Sequence, residues 1–539
     1  MDKQYKFLLP LLFGLMVALG MFLGTKYQPG SRISKDDPVI KLKEVLSVIT
    51  SSYMDTTSEN QLINNAIAGI FDNLDPHSTY IPSNKLENIN EQLEGGFEGI
   101  GIEFSLVQDT LFVIEIFRGG PAETAGVKQG DKIIYIDDEI ISGKKLNNEQ
   151  LINRLKGKKG SKVRIKVLRQ NKSGLTEISI TRDKIALSSI TACYKINEFT
   201  GYIKLSNFSA NTYNEFLDSI YKLNPENLHE LVLDLTDNPG GYLNTAVDIA
   251  DEFFSTKKLI VYTEGRNKKL EKFISTSTGS LKKVRLIVII DENSASASEI
   301  FAGAMQDWDR GIILGRRSFG KGLVQQQIPL SDKSAIRLTV ARYFTPTGRC
   351  IQKPYLKDKN DYFSDLLNRY EQGELTSLDS VKFPKGYKYK TDKGRIVYAG
   401  GGIMPDIFVP LDTSENSPYL TKLIKNEVIY RFSVLYMDRH RDQLKINNPS
   451  FKDFEKNFKD GNLLLLQLVK FAGKEGYKRN HEEIGKSSNQ IVLLLKALIA
   501  KQLYGNNYFY QVLNQNNPEL NKAIDILNSP DYWKVIHVD

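Results

Sequence analysis

Short apolar strands alternate with helices between residues 186 and 413, and this alternation constrains the fold more than any other feature of the chain. The runs 231–235 and 286–290 are continuously apolar, which is typical of strands buried on both faces. Amphipathic patterns typical of helices cover 211–223 and 243–254. Alternation of this kind favours parallel pairing, because the chain crosses over between strands. We therefore predict an α/β core.

The chain of 539 residues is too long for a single hydrophobic core, so several domains are expected. Changes of composition divide it into five segments. They are a signal or membrane anchor (1–27), a helical segment of the core (28–95), a small, partly open barrel (96–185), the α/β core (186–413, with a polar insertion at about 358–395) and a helical domain (414–539). The last segment contains no catalytic motif that we can identify.

The first segment has the character of a membrane anchor. An apolar run from Phe7 to Gly24 follows Lys3 and Lys6, and as a helix it spans about 27 Å, close to the thickness of a bilayer's hydrocarbon core. The run is long for a signal peptide and no clear cleavage site follows it, so an uncleaved anchor is favoured. We expect a cell-envelope protein that is anchored in the inner membrane, with its catalytic domains facing the periplasm or the exterior.

Composition and spacing exclude several classes of function. The net charge of +8 is spread along the chain, which indicates solvated surface rather than a nucleic-acid site. The two cysteines, Cys193 and Cys350, provide no zinc spacing, and whether they pair stays open. The stretch from Gly315 to Lys321 resembles a phosphate loop, but it lacks the following hydroxyl residue and precedes a strand pattern. We expect no metal and no nucleotide cofactor.

A hydroxyl-rich motif, Ser294-Ala295-Ser296-Ala297-Ser298-Glu299, directly precedes an apolar helix. One interpretation is a capping box, in which a serine and the glutamate satisfy donors at the helix end. Catalysis is a compatible interpretation, because a serine at a helix N-terminus lies near N–H groups and a dipole that favour a developing alkoxide. Spacing alone does not decide which of the three serines would attack.

A nucleophilic serine needs a base that removes its proton, and Lys321 is the candidate for that base. Burial favours the neutral form of a lysine. Lys321 lies between two glycines ahead of an alternating strand pattern, where Gln325 is positioned to hold the amine by a hydrogen bond. An ordinary surface lysine is the alternative.

The turn Asn238-Pro239-Gly240-Gly241 joins a buried strand to a helix. Its two glycines allow backbone amides to approach a ligand closely, as an oxyanion hole requires, although an ordinary turn explains the same residues. A Ser-His-Asp triad is a competing hypothesis. It has little support, because three of the five histidines fall in the helical tail and only His77 and His229 are left for it.

Taken in order, these motifs resemble the carboxyl-terminal processing peptidases, also called tail-specific proteases. The resemblance covers roughly residues 40–410. It rests on Asp75-Pro76-His77-Ser78-Thr79-Tyr80, Gly99-Ile100-Gly101, Gly126 to Asp131, Asn238-Pro239-Gly240-Gly241, Ser294 to Glu299, Phe319 to Gln325, Tyr343 to Arg349 and Gly401 to Asp406. It implies a serine-type endopeptidase with a crotonase- or ClpP-like α/β core and an inserted PDZ domain.

The resemblance also assigns roles to single residues. It makes Ser296 the nucleophile, Lys321 the general base, and Gln325 the residue that orients the lysine. It makes Gly240 and Gly241 the candidate oxyanion donors. Thr236 and Asp237 depart from the family pattern, which usually has an arginine followed by a small or polar residue, so the support of this turn is in question.

The PDZ domain implied for residues 97–185 would capture a free C-terminus by strand addition. The capturing loop is then expected at Gly99, Ile100, Gly101 and Ile102. The expected partners are proteins or peptides with a free apolar C-terminus, and the helical tail is a candidate surface for a homodimer or an adaptor. The rival hypothesis is a catalytically inert, membrane-tethered PDZ scaffold. The joint presence of the serine, the lysine and the glutamine argues against it.

Overall fold

The computed structural model describes residues 5–26, 38–170, 172–355, 359–382, 387–459 and 461–536. The predicted boundary at 27 and 28 and the predicted start of the insertion at 358 lie outside these residues. The chain forms two compact units that divide after Leu74. The first unit contains α1 (Tyr5–Lys26), α2 (Pro38–Ser52) and α3 (Glu59–Asp72). Within the residues whose side chains the structure describes, no helix combines the length and the apolar character that crossing a bilayer requires.

The second unit begins with a strand and a helix and continues into a small antiparallel domain. Its first elements are β1 (Thr79–Ile81), α4 (Ser83–Glu94), β2 (Gly96–Gly99), β3 (Ile102–Val107), β4 (Thr110–Ile116), α5 (Pro121–Thr124), β5 (Lys132–Ile136), β6 (Glu139–Ile140), α6 (Asn148–Leu155), β7 (Lys162–Leu168), β8 (Leu175–Thr181) and β9 (Asp183–Ala186). The sheet order is β3-β4-β5-β7-β8, with β6 beside β5. Strands β2 and β9 pair separately and form a two-stranded stalk. Because β3 lies at the sheet edge, one side of its backbone is available for an added strand.

The predicted α/β core follows the stalk. Its elements are β10 (Ile190–Lys195), β11 (Thr200–Leu205), α7 (Thr212–Lys222), β12 (Glu230–Asp234), α8 (Leu243–Asp251), β13 (Leu259–Gly265), β14 (Leu270–Ile274), β15 (Arg285–Ile290), α9 (Ala297–Asp307), β16 (Ile312–Gly315), β17 (Leu323–Pro329), β18 (Ala335–Phe344), α10 (Lys359–Glu371), β19 (Lys388–Lys390), β20 (Ile396–Tyr398) and β21 (Ile407–Phe408). The main sheet has the order β10-β11-β12-β15-β16-β21, and its pairs from β11 to β21 are parallel. This arrangement confirms the predicted α/β class. Helices α7, α8 and α9 cover one face of the sheet.

A second sheet carries the segment that follows the lysine loop. Its order is β1-β18-β13-β14, and β17 pairs with β18 in antiparallel fashion. The insertion contains α10, which buries Tyr362 and Arg369 against the core despite the polar composition of the segment. The insertion therefore packs behind the lysine loop and is not merely an exposed surface loop.

The C-terminal region is helical, as predicted. Its helices are α11 (Pro418–Lys425), α12 (Val428–Asn447), α13 (Phe451–Asn457), α14 (Gly461–Lys474), α15 (His481–Tyr504), α16 (Asn506–Leu513), α17 (Pro518–Leu527) and α18 (Asp531–Ile536). Helices α11–α16 share a hydrophobic core of their own. In contrast, α17 and α18 pack on the second face of the main sheet, where Leu520, Leu527 and Tyr532 contact strands β12, β15 and β16. The α/β core is thus completed by helices from the end of the tail.

Candidate active site

Ser296 occupies a strained turn at the N-terminus of α9. Its backbone angles are φ 56° and ψ −112°, a conformation that side-chain-bearing residues rarely adopt. Such strain costs about 1–3 kcal/mol and persists only where the surroundings hold it. Gly240 supplies part of that hold, because a Cβ there would lie 2.8 Å from Ser296 Cβ and 2.6 Å from the carbonyl oxygen of Ala295. The serine is therefore held in a tight turn that packs closely against position 240, where only glycine fits.

Glu299 joins the serine turn to the loop that carries the lysine. Its Oε2 accepts hydrogen bonds from the backbone N–H groups of Ser296 (2.8 Å) and Lys321 (2.9 Å). Its Oε1 accepts from Ser318 Oγ (2.5 Å) and the Gly320 N–H (2.8 Å). The side chain is fully buried, and burial raises its pKa to about 7 although four donors favour the carboxylate. The capping residue of the sequence motif thus also anchors a distant loop.

Lys321 lines the same cleft as Ser296. Burial lowers the pKa of its amine to about 8 and the nearby charge of Arg337 adds to the effect, while Glu299 and Asp75 oppose it. A lysine with this pKa is about one tenth neutral at pH 7, far more than an exposed lysine. The position thus supplies an amine that can accept a proton near neutral pH.

Gln325 lines the same cleft from β17, at a shift of strand register between Val324 and Gln325. Bulges of this kind turn a side chain toward a site. Within the part of the chain that the structure describes, the buried Nε2 of Gln325 has no hydrogen-bond partner. An unpaired buried donor costs about 1–3 kcal/mol, so a partner supplied by the site would be stabilising.

One cleft of about 830 Å³ brings the predicted residues together. It is lined by Ser296, Lys321, Gln325, Gly240 and Gly241, together with residues of α4 and β17. The cleft lies at the carboxyl end of β12 and beside the N-terminus of α9, the region of a parallel sheet where ligands commonly bind.

Of the two N–H groups that the sequence indicated in the glycine turn, the structure uses that of Gly240 within the turn and, as far as the described residues go, leaves that of Gly241 available. The Gly240 N–H donates to Asn238 Oδ1 at 2.9 Å and is already used within the turn. Among the described residues, neither the Gly241 N–H nor the Ala297 N–H has a hydrogen-bond partner. Ala297 N lies within 2.8 Å of the position that a Cβ on Gly240 would occupy. Sequence reasoning missed Ala297, since a backbone donor leaves no mark on residue type.

The departures at Thr236 and Asp237 have local support. Lys204 on β11 donates from Nζ to Thr236 Oγ1 (2.6 Å) and to the Thr236 carbonyl (3.0 Å), and it pairs with Asp234 at 3.3 Å. Asp237 accepts a hydrogen bond from Asn293 Nδ2 at 2.8 Å. A lysine from the neighbouring strand thus provides the positive charge that the turn itself lacks.

His77 lies behind the lysine loop and does not line the cleft. Its Nε2 lies 2.7 Å from the hydroxyl of Tyr362, and burial together with the charge of Lys321 lowers its pKa to about 4. Its backbone N–H donates to Asp75, which also binds Ser78 and Thr339. His229 stacks edge-on against Phe199, also outside the cleft. Neither histidine is placed for a triad with Ser296.

Two further residues hold the lysine loop, and the sequence analysis assigned a role to neither of them. Arg369 of α10 donates to the carbonyls of Arg317 (2.6 Å) and Ser318 (3.2 Å). The Tyr343 hydroxyl is shared between the carbonyls of Lys321 (2.6 Å) and Ser296 (3.1 Å). The sequence carried no signal for Arg369, because its burial is seen only in the structure.

A second cavity of about 340 Å³ lies between β3 and α6 in the small domain. The expected loop residues Gly99, Ile100, Gly101 and Ile102 all line it, opposite α6 residues that include Ile152 and Leu155. Lys156 stands at one end, where it donates to Asn88 Oδ1 at 3.2 Å and pairs with Glu91 of α4. The cavity is an apolar groove beside an unpaired strand edge.

Known proteins share both the core and the small domain. The sequence profile of peptidase family S41 matches residues 199–359, a PDZ profile matches 99–180, and a family of unknown function matches 419–505. A carboxy-terminal-processing protease of Bartonella bacilliformis is 36% identical over 399 residues, covering 72% of this chain and 88% of that protein. Carboxy-terminal processing protease CtpB of Bacillus subtilis is 34% identical over 338 residues, covering 61% and 70%. The solved photosystem II D1 C-terminal processing protease is 26% identical, covering 58% of this chain and 83% of that chain, with a TM-score of 0.33.

Proposed function

The chain belongs to the carboxy-terminal processing proteases of peptidase family S41, and on that premise we propose that Ser296 and Lys321 act as its catalytic dyad. It is a serine-type endopeptidase with a PDZ domain, not an inert scaffold. The observation that carries the dyad is the convergence of the strained serine, the lysine of lowered pKa and Gln325 on one cleft.

In the proposed reaction, the neutral amine of Lys321 takes the proton of Ser296 Oγ as this oxygen attacks the peptide carbonyl carbon. The lysine ammonium then gives its proton to the leaving amine, and an ester to Ser296 remains. Water, deprotonated by the same lysine, hydrolyses the ester and restores the serine. Gln325 supports the cycle by pairing its amide with the lysine amine or with the substrate backbone.

We assign the oxyanion donors to the N–H groups of Gly241 and Ala297. Both lack a partner within the described residues, and Ala297 begins α9, so the positive end of the helix dipole lies beside it. Donors of this kind are worth about 2.7–4 kcal/mol each in the transition state. Gly240, one of the two donors expected from the sequence, then serves by its small size, because its own N–H binds Asn238.

The proposed substrates are proteins with a free, apolar C-terminus. Strand addition to β3 would satisfy the free backbone edge, and Ile100, Ile102, Ile152 and Leu155 would surround apolar side chains of the peptide. A homodimer or an adaptor surface on the helical tail stays a prediction.

We also propose that the N-terminal segment directs the protein to the cell envelope, with the catalytic unit outside the inner membrane. Support comes from the apolar run between Phe7 and Gly24 and from Leu12, Phe13 and Leu15, which are exposed on α1. Cell fractionation with protease accessibility tests the proposal. Recovery of the full chain in the soluble cytosol would refute it.

The dyad is tested by cleavage of an unfolded protein with an apolar C-terminus. Ser296→Ala and Lys321→Ala should each lower kcat/KM by at least about 10³-fold, because the members of a dyad act as a unit. The matched controls are Ser173→Ala and Lys333→Ala, both at exposed positions. A fluorophosphonate probe should phosphonylate the wild type, with loss of fluoride, and should not label Ser296→Ala. Retained turnover in either dyad variant would remove that residue from the mechanism.

A further inference from the structure

The sheet of the small domain is covered on both faces at β3 and β4. Leu111, Phe112, Val113 and Ile114 are consecutive on β4, and none is more than 5% exposed. Successive side chains of a strand point to opposite faces. Leu111 and Val113 fill the domain's own core, so Phe112 and Ile114 are buried by another part of the chain.

That other part is α12 of the helical tail. Val434 is 3% exposed and packs against Val107, Phe112 and Ile114, with Tyr430 beside it. We call residues 418–513, which contain α11–α16, the helical module. The apolar contact joins the module to the back of the peptide-binding domain.

Two ion pairs flank the apolar contact. Lys132 Nζ lies 2.8 Å from Asp438 Oδ2, and Lys501 Nζ lies 3.0 Å from Glu103 Oε1. The Tyr430 hydroxyl also donates to Glu103 Oε1 at 3.3 Å. Glu103 is on β3, the strand proposed to receive the peptide, so the module also holds that strand.

The module is also attached to the protease core at both of its ends. It follows β21, a strand of the main sheet, and it leads into α17 and α18 on the face of that sheet. Asn507 Oδ1 accepts the N–H of Cys193 on the edge strand β10 at 2.7 Å, and Asn514, the residue directly after the module, donates from Nδ2 to the Tyr194 hydroxyl at 2.7 Å. The module is therefore in contact with both the core and the small domain.

Orientation of the small domain has a direct consequence for the catalytic cleft. Apart from the stalk β2–β9, the groove reaches the core through α4, where Lys156 contacts Asn88 and Glu91. Ile89 and Leu93 on the same helix line the catalytic cleft. A rotation about the stalk would separate the groove from the cleft that its captured chain must enter.

We propose that the helical module is the positioning element of the peptide-binding domain, with Val434, Asp438 and Lys501 as its positioning residues. It holds the groove in one orientation relative to the cleft, so that a captured C-terminus leads its own chain toward Ser296. This role assigns a function to the segment 419–505, which matches a family of unknown function. The role in presentation rests on the proposed function, whereas the fixed orientation does not.

The orientation is measured on the full chain without any reaction. Spin labels at Lys144→Cys on the small domain and Lys222→Cys on α7, with both native cysteines replaced by serine, report one distance by pulsed electron resonance. We expect a narrow distribution in the parent and a broad one in Val434→Arg and Lys132→Asp. The double variant Lys132→Asp/Asp438→Lys restores the ion pair and should restore the narrow distribution. The exposed control Arg439→Glu should keep the narrow distribution of the parent.

Hydrolysis then tests presentation. In Lys132→Asp, kcat/KM for a protein with an apolar C-terminal tag should fall about tenfold, because a mobile domain lowers the effective concentration of the captured chain at the cleft. Affinity for the isolated tag peptide and hydrolysis of an untagged acyl ester should not change, and the double variant should recover.

Three outcomes would overturn the inference. They are a distance distribution that stays narrow in Val434→Arg and Lys132→Asp, a loss of tag affinity equal to the loss of kcat/KM, or an equal loss on the untagged ester. Thermal melting of each variant separates misfolding from release of the small domain. Should Val434→Arg fail to fold, the comparison of Lys132→Asp with the double variant Lys132→Asp/Asp438→Lys tests the inference instead. A wild type that hydrolyses nothing would count against the proposed function alone, since the distance measurement does not depend on turnover.

Discussion

The catalytic cleft and the peptide groove adjoin the same helix, α4, yet they are built in opposite ways. At the cleft the backbone is strained and pinned, with Ser296 held at a positive φ and Glu299 fixed by four donors. At the groove the walls are apolar, and the strand edge of β3 is left unpaired within the described residues. Bond chemistry requires atoms that are fixed before the substrate arrives, whereas capture of varied C-termini requires backbone groups that are not yet committed. Changes to the cleft should therefore alter kcat, and changes to the groove should alter KM.

Gly240→Ala tests the rigid catalytic cleft and should have the largest effect. The new Cβ would lie 2.6 Å from the Ala295 carbonyl oxygen and 2.8 Å from Ser296 Cβ, at a φ of 97° that favours glycine. We expect kcat to fall by about 10³-fold, because displacement of the nucleophile and its oxyanion donors combine. Gly143→Ala is the matched control, since its φ is 76° but nothing lies within 4 Å. Comparable losses of kcat in the two variants would show that backbone strain alone explains the effect.

Glu299→Gln tests whether the pinning carboxylate matters for chemistry. A neutral amide cannot accept all four hydrogen bonds, so we expect a loss of about 10- to 100-fold in kcat with unchanged affinity for a tag peptide. The pH at which activity is half-maximal should also move down, because the negative charge that raises the pKa of Lys321 is gone. A pH profile with an unmoved midpoint would restrict Glu299 to a structural role.

The activity of the wild type should rise with pH. Lys321 acts as a base only when it is neutral, and its pKa is about 8 through burial and the charge of Arg337. Activity should therefore rise about tenfold between pH 7 and pH 9 and level off above that. Initial rates of ester hydrolysis across this range, in buffers of constant ionic strength, measure it. A profile that is flat from pH 7 to pH 9 would contradict the lysine base.

Ile152→Asp tests the peptide groove and should have the smallest effect of these changes. Ile152 lines the groove from α6 and is 37% exposed, so the fold should tolerate the change. A carboxylate beside an apolar peptide side chain should raise KM for a tagged substrate about five- to tenfold and leave kcat unaltered. The control is Leu175→Asp, an exposed apolar residue outside the groove. A drop in kcat would mean that groove and cleft are not independent.

Most of the α/β core could be predicted because buried parallel strands and amphipathic helices leave strong patterns. The helix predicted at 211–223 is observed at Thr212–Lys222, and the strand predicted at 231–235 at Glu230–Asp234. The cleft residues could be named from motifs. The use of the Gly240 N–H by Asn238 could not, since hydrogen bonds within a turn depend on local coordinates that residue types do not encode.

Long-range contacts were the main limit. Glu299 reads as a helix cap, and nothing local indicates that it also reaches Gly320 and Lys321. Likewise, α17 and α18 look like any amphipathic helices of the tail, although they cover the main sheet. The run Leu111–Ile114 did contain a signal, because apolar residues at consecutive positions of an antiparallel strand indicate cover on both faces.

The position of α17 and α18 also sets the order of events during biosynthesis. Strands β12 and β15 leave the ribosome long before Pro518, so the sheet that supports Ser296 stays bare on one face while the intervening helices are made. A nascent chain therefore lacks a finished catalytic core until its late helices dock. Chains stalled before Pro518 should be digested by added protease and should not react with a serine probe. Released full-length chains should resist the protease and react with the probe.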